Sequence, residues 1–160
     1  MAGLINPDDD SAKITFPPPL IYLGILALGV LADRLLGFAW LLAMELRIAA
    51  LIALVVAGLA LLLAAANRFV LAGTEVKPWK TSSAIVGQGV YRFTRNPMYL
   101  AMALIYLGLA LGLASIAALV LLPVALLLVQ TQIIAREERY LEAKFGDEYR
   151  GYKASVRRWL

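Results

Sequence analysis

Residues 89–135 read GVYRFTRNPMYLAMALIYLGLALGLASIAALVLLPVALLLVQTQIIA, and this stretch decides the fold. It opens with a polar corner, residues 89–99, where two Arg, one Thr, one Asn and two Tyr come together. The following 40 residues, Asn96 to Ala135, contain no charged side chain. As a helix this run would be about 60 Å long, twice the hydrocarbon thickness of a bilayer. The stretch therefore predicts a hairpin of two membrane spans that turns near Gly112 to Ser115.

Two further spans precede the corner. The first runs from about Pro18 to Leu36, and its charges Asp33 and Arg34 must lie near an interface or pair with each other. The second contains 19 uncharged residues, Ile48 to Ala66, close to the ~20 needed to cross a bilayer. With 62% hydrophobic residues and a mean hydropathy of +0.79, the chain is predicted to be an all-α membrane protein with about four transmembrane helices.

The remaining segments are polar, and we expect one integral membrane domain over residues 1–160. Residues 1–16 are expected to be a loose tail, and residues 67–95 an ordered loop lying on the membrane. After the fourth span the chain becomes charged, and Gly146 separates two predicted interfacial helices. Tyr149, Tyr152, Val156 and Trp159 have helical spacing, which predicts an aromatic face of the last helix pressed on lipid headgroups.

The distribution of basic residues predicts the orientation. With four spans, one side collects 13 Lys and Arg residues and the other collects two. The positive-inside rule then places both termini, the 67–95 loop and the polar corner in the cytoplasm.

The corner has the features of an anion site. Asn96 and Pro97 are typical of a helix start, where first-turn N–H groups and the helix dipole favour a carboxylate or phosphate. Arg95 adds a planar set of donors, and Tyr91 and Tyr99 would wall the site. The alternative is that Arg and Tyr only anchor the helix at the headgroups.

The hairpin should bring Glu137 and Glu138 beside this corner. The pair could then receive the amino group or hydroxyls of a zwitterion whose carboxylate lies at Arg95. Equally, either Glu could form a plain salt bridge with Arg95 or Arg92. The chain has no His and no Cys, which removes the commonest metal ligands and the commonest general base, so no metal is expected. No nucleic-acid partner is expected.

Two motifs together resemble the isoprenylcysteine carboxyl methyltransferase family, which is grouped with the phospholipid methyltransferases. The first is Gly-Val-Tyr-x-x-x-Arg-Asn-Pro-x-Tyr at residues 89–99. The second is Glu-Glu-x-x-Leu-x-x-x-Phe-Gly-x-x-Tyr-x-x-Tyr at residues 137–152. The resemblance covers roughly residues 67–160. It implies S-adenosylmethionine as cofactor and a lipophilic or small-molecule methyl acceptor with a carboxylate, thiol or amine nucleophile, in contact with membrane lipids.

The resemblance also implies site residues. Positions that match cofactor contacts or motif positions are Ile85, Val86, Tyr91, Arg95, Asn96, Pro97, Met98, Tyr99, Glu137 and Glu138. There are two departures from the prenylcysteine enzymes: Asn96 stands where they carry His, and Ile133 falls where they carry an Arg for the substrate carboxylate. No residue is assigned as a catalytic base.

Two other functions remain alternatives. One is a non-enzymatic small membrane protein, such as a transporter subunit or assembly factor. Such transporters usually carry a membrane-buried carboxylate, for which Asp33 and Glu45 are the candidates. The other is a lipid-modifying enzyme that uses a different cofactor.

Overall fold

A computed structural model describes residues 6–38, 40 and 42–160. Within these residues the chain is helical and has no strands, as the sequence predicted. The elements are α1 (Pro18–Leu36), α2 (Met44–Leu71), a 3-10 turn (Gly89–Arg92), α3 (Pro97–Gly112), α4 (Ile116–Val129), a π-helical segment (Gln130–Ile134), α5 (Ala135–Phe145) and α6 (Asp147–Ser155).

Three helices of the described chain are long and apolar enough to cross a membrane. They are α1, α2 and the continuous helix from Ile116 to Phe145, which joins α4, the π segment and α5. Helix α3 is apolar but has only 16 residues, about 24 Å. The hairpin turn falls between Gly112 and Ile116, where it was predicted. The protein is an integral membrane protein built from these helices.

Small residues let the helices approach closely. A Cβ at Gly29 of α1 would lie 2.5 Å from the backbone of Ala118 in α4. A Cβ at Gly58 of α2 would lie 2.8 Å from the carbonyl oxygen of Ala101 in α3. Helices in lipid gain little from hydrophobic association with one another, so close backbone packing of this kind is what holds the bundle together.

One end of the bundle is closed by Asp33. Its carboxylate accepts hydrogen bonds from the Ser115 hydroxyl and from the Ala117 backbone N–H, 3.1 Å away. The Ser115 hydroxyl in turn accepts from the Ala118 N–H at 3.1 Å. The charge near the end of the first span is therefore used to cap α4 and does not pair with Arg34.

The N-terminal segment, residues 6–16, differs from the loose tail that we expected. Asp8 binds the Lys80 ammonium at 2.8 Å and the Thr81 N–H at 3.2 Å, and its own N–H donates to the Trp79 carbonyl. The side chain of Ile14 is only 2% exposed. Contacts to a loop distant in sequence hold this segment, and residues 1–5 lie outside the described part.

The aromatic face of the last helix turns toward the protein. Tyr149 is buried, and the Tyr152 hydroxyl donates to the Tyr91 carbonyl at 2.9 Å. Helix α6 ends at Ser155, so Val156 and Trp159 belong to an extended C-terminal segment, residues 156–160, and not to the predicted helix. The Trp159 indole donates to Gln130 at 2.8 Å, which ties this segment to the π-helical turn.

Candidate functional site

The polar corner is folded by a 3-10 turn that leads into α3. Gly89 has a positive φ of 61°, a conformation that residues other than glycine rarely adopt, and the Arg68 guanidinium packs against it. The turn buries Tyr91, whose ring meets the edge of Phe69 with centroids 5.6 Å apart.

A cavity opens directly beside this corner. The space between its walls, with the solvent at its open mouth included, is about 850 Å³. Four parts of the chain contribute to it: the N-terminal segment, the end of α2 with the following loop, the corner with α3, and helices α5 and α6. The lining residues are Ala12, Phe69, Glu75, Val76, Lys77, Pro78, Ser82, Ala84, Ile85, Val86, Tyr91, Arg95, Asn96, Met98, Tyr99, Glu137, Glu138, Tyr140, Leu141, Tyr149 and Tyr152.

Nine of the ten residues that the sequence assigned to the site line this cavity. Pro97 is the exception, because it is buried as the first residue of α3. Ile133 is also buried and lies away from the cavity lining.

Asn96 does not cap α3 with its side chain. It occupies the cap position, but its amide donates instead to the Arg158 carbonyl at 2.9 Å. The backbone N–H of Asn96 donates to the Thr94 hydroxyl, which itself donates to the same Arg158 carbonyl at 3.0 Å. The N-terminus of α3 therefore meets the cavity without a side-chain cap.

The Arg95 side chain is buried and only partly paired. It is 9% exposed, and its Nη2 lies 3.2 Å from Oε1 of Glu138. Its Nε and Nη1 are buried and have no hydrogen-bond partner among the described residues. Buried guanidinium donors are costly to leave unpaired, and Arg95 has donor capacity that its contact with Glu138 does not use.

The two acids have different roles. Glu138 is 6% exposed and forms the salt bridges, to Arg95 and to Arg158, whose Nε lies 3.0 Å from Oε1. Glu137 makes no salt bridge in the described chain, and its Oε1 accepts the Tyr99 hydroxyl at 2.8 Å. The alternative in which Glu137 only pairs with Arg95 or Arg92 is therefore wrong, while for Glu138 the salt bridge is present.

Tyrosine hydroxyls form much of the polar lining. Burial raises the pKa of Tyr149 to about 12, with the carboxylate of Glu138 adding to the effect and the Arg95 guanidinium opposing it. Burial also raises the pKa of Tyr91 and of Tyr152. These phenols are therefore neutral at physiological pH and act as hydrogen-bonding groups.

Several lining residues were not assigned from the sequence. Tyr149 and Tyr152 belong to the second motif, but their spacing was interpreted as a lipid-facing stripe. Lys77 and Ser82 come from the loop, and Ala12 from the N-terminal segment. Helical spacing shows that residues share a face, but it does not show what that face contacts.

A second, almost wholly apolar cavity of about 560 Å³ lies between α1, α2 and α3. Tyr22, Leu62 and Met102 are among its lining residues. The Tyr22 hydroxyl donates to the Tyr99 carbonyl at 3.0 Å, so this groove adjoins the polar cavity at Tyr99.

Comparison with known proteins places this arrangement in a family context. A family model described as phospholipid methyltransferase matches residues 46–148. An uncharacterised protein of Haemophilus influenzae is 51% identical over 63 residues, which is 39% of this chain and 100% of that protein. No solved structure matches the chain. Within the described residues, no cluster of three or more acidic side chains is placed to hold a metal ion.

Proposed function

Because the chain belongs to the phospholipid methyltransferase family, we propose that it is an integral membrane methyltransferase that uses S-adenosylmethionine. The cofactor would occupy the polar cavity, and a lipophilic acceptor would reach it from the bilayer. The observation that carries this proposal is the cavity at the motif residues, which Arg95 lines with a buried guanidinium that is only partly paired.

The residues present fit the cofactor. Its carboxylate suits the Arg95 donors and the uncapped N-terminus of α3. The Glu137 carboxylate suits an ammonium or ribose hydroxyls. Ile85, Val86 and other apolar lining residues suit an adenine ring.

Methyl transfer requires the protein mainly to position the methyl donor and the acceptor. When bound, S-adenosylmethionine would supply a methyl group activated by a positively charged sulfur, and neutral S-adenosylhomocysteine would be the leaving group. The side chains around the cavity hold donor and acceptor in line and exclude water. A carboxylate or thiolate acceptor needs no strong base, which agrees with a chain that contains no His.

The apolar groove between α1, α2 and α3 supports a lipophilic acceptor. Its wall includes Tyr22, which reaches Tyr99 at the polar cavity. An acyl or similar chain in the groove would bring its polar head toward the methyl donor. The description of the matched family suggests a phospholipid head, and prenylcysteine, other carboxylates, small thiols and amines are acceptors to be compared with it.

The transporter alternative loses its main candidate. Asp33 is engaged by Ser115 and Ala117, and Glu45 lies on the exposed surface at the start of α2. A carboxylate that caps a helix is not available for ion coupling.

Cofactor binding and turnover test the proposal directly. The protein in detergent should bind S-adenosylmethionine or S-adenosylhomocysteine by calorimetry, and either ligand should raise its melting temperature. Transfer of a tritiated methyl group into lipid extract, small thiols or prenylcysteine analogues would then identify the acceptor. No binding at millimolar ligand in both measurements would contradict the proposal.

We also propose that the cavity faces the cytoplasm, as the basic residues indicate. Because the chain has no Cys, single cysteines report sidedness cleanly. Cys at Ser83, in the exposed part of the loop, should be labelled only after the membrane is permeabilised. Cys at Leu113, exposed in the α3–α4 turn, is the matched position on the other side and should be labelled in intact cells. The reverse pattern would contradict this orientation.

A further inference from the structure

The C-terminal segment, residues 156–160, is held against the polar corner by its backbone. The Arg95 N–H donates to the Arg157 carbonyl at 2.9 Å. The side chains of Thr94 and Asn96 both donate to the Arg158 carbonyl. Both side chains are buried, so the Arg158 carbonyl satisfies polar groups that water does not reach. The segment lies beyond the stretch matched by the family model, residues 46–148.

The Arg158 side chain also reaches the site, through Glu138. Its Nε and Nη2 bind the two oxygens of this carboxylate, at 3.0 and 2.5 Å. A guanidinium that donates to both oxygens of a carboxylate forms one of the strongest hydrogen-bonded pairs in proteins. Arg95 is left with one contact to Glu138, through Nη2.

The charges in this cluster do not cancel. Two guanidiniums share one carboxylate, so the group formed by Arg95, Glu138 and Arg158 carries one net positive charge. Arg158 is 35% exposed at its side chain, whereas Arg95 is 9% exposed and lines the cavity. Of the two guanidiniums, only that of Arg95 lines the cavity, which Glu137 also lines, and its Nε and Nη1 are buried with no hydrogen-bond partner in the described chain.

We propose that Arg158 is a positioning residue that occupies Glu138 and thereby keeps Arg95 available for the carboxylate of the cofactor. Without the two hydrogen bonds from Arg158, both oxygens of Glu138 could accept from Arg95. A buried, fully paired Arg95 would then bind an external carboxylate poorly, because the ligand would have to break that pair. This inference rests on the proposed cofactor and assigns a role to a residue that does not touch it.

The test compares a ligand that has the amino acid arm with one that lacks it. S-adenosylhomocysteine carries the carboxylate and the ammonium group, and 5′-methylthioadenosine carries neither. In Arg158→Gln, which keeps most of the side-chain length, we expect S-adenosylhomocysteine affinity to fall about 10-fold, since a charge-assisted contact is lost. Affinity for 5′-methylthioadenosine should stay within about 2-fold. Arg157→Gln is the matched control: it removes the same charge from an exposed neighbour, and both affinities should be unchanged.

A double-mutant cycle separates positioning from a structural role. The effect of Arg158→Gln should vanish in a Glu138→Gln background, because a neutral amide does not compete for Arg95 as a carboxylate does. If Arg158→Gln does not fold, Arg158→Lys replaces it; a lysine cannot span both oxygens, and a selective loss of about 3-fold is expected.

Three results would overturn the proposal while leaving the cofactor assignment intact. They are equal loss for both ligands, no loss for either, or a loss that persists in the Glu138→Gln background. Failure of the wild-type protein to bind S-adenosylhomocysteine would instead contradict the proposed function itself.

Discussion

The helix starts at the two ends of the bundle are built in opposite ways. At α4, the Ser115 hydroxyl accepts from the Ala118 N–H, and the Asp33 carboxylate accepts from the Ala117 N–H. At α3, Asn96 makes no capping bond and turns its amide to the C-terminal segment. The difference shows that side chains of the protein satisfy the helix start at α4, whereas the helix start at α3 has no side-chain cap. The cavity lies at the start of α3.

The largest expected effect concerns Glu137, which faces the open end. Glu137→Gln keeps the shape of the side chain but removes its charge. If the carboxylate binds the cofactor, affinity should fall roughly 10- to 150-fold, since a charge-assisted hydrogen bond contributes about 1.5–3 kcal/mol. The ligand-free melting temperature should barely change, because Glu137 makes no salt bridge in the described chain. Calorimetric titration and thermal unfolding of the same samples measure both quantities.

Glu142→Gln provides the matched control for this change. Glu142 lies in the same helix and pairs with Lys153 at 3.0 Å on the surface, away from the cavity lining. It should leave cofactor affinity unchanged. Equal affinities for wild type and Glu137→Gln would remove Glu137 from the site, and a large loss of ligand-free stability would point to a structural role.

A smaller effect is expected where Asp33 caps α4, and it should concern stability and not cofactor affinity. Asp33→Ala removes an acceptor from both Ser115 and Ala117, which should lower the free energy of unfolding by about 1–3 kcal/mol. Cofactor affinity should not change. Denaturant unfolding in mixed micelles measures the loss, and Arg34→Ala, an exposed neighbour, should show almost none. A change in cofactor affinity without a change in stability would refute the assignment of a structural role to Asp33.

The smallest effect concerns the ion pair that holds the N-terminal segment. The hydrogen bond from Lys80 lowers the pKa of Asp8, with the Thr81 N–H adding to it. The contribution of this group is therefore present above the ordinary pKa of Asp, about 4, and is lost as pH falls through the lower value of the folded state. At pH 6, Asp8→Asn should speed amide hydrogen exchange in residues 74–83, and this difference from wild type should shrink in strong acid. A difference that stays the same across this range would contradict the assigned role of Asp8.

Helix positions were predictable because they depend on local properties. The bounds of α1 and the hairpin turn follow from apolar length, a proline entry and the absence of charge. The approach of Glu138 to Arg95 followed from the hairpin itself. These features need only the sequence of one element and its immediate neighbour.

What could not be predicted depends on partners that are distant in sequence. The Arg158 carbonyl accepts from Thr94 and Asn96 through its backbone, and a backbone group leaves no mark in a residue pattern. The contact of Asp8 with Lys80 joins residues 72 positions apart. Asn96 satisfies every local rule for a cap, and a distant carbonyl outcompetes the cap.

The π-helical segment Gln130–Ile134 affects how chains of this kind should be aligned. A π turn accommodates one more residue than an α turn, so the side chains on its two sides differ in phase by about 100° from an unbroken helix. A residue count that starts at Pro97 and continues through the helix of residues 116–145 therefore gives the wrong side-chain direction from Ile133 onward. A relative with one residue fewer here could keep its acids in the same place, so the register is better counted back from Glu138, whose two arginine contacts locate it in space.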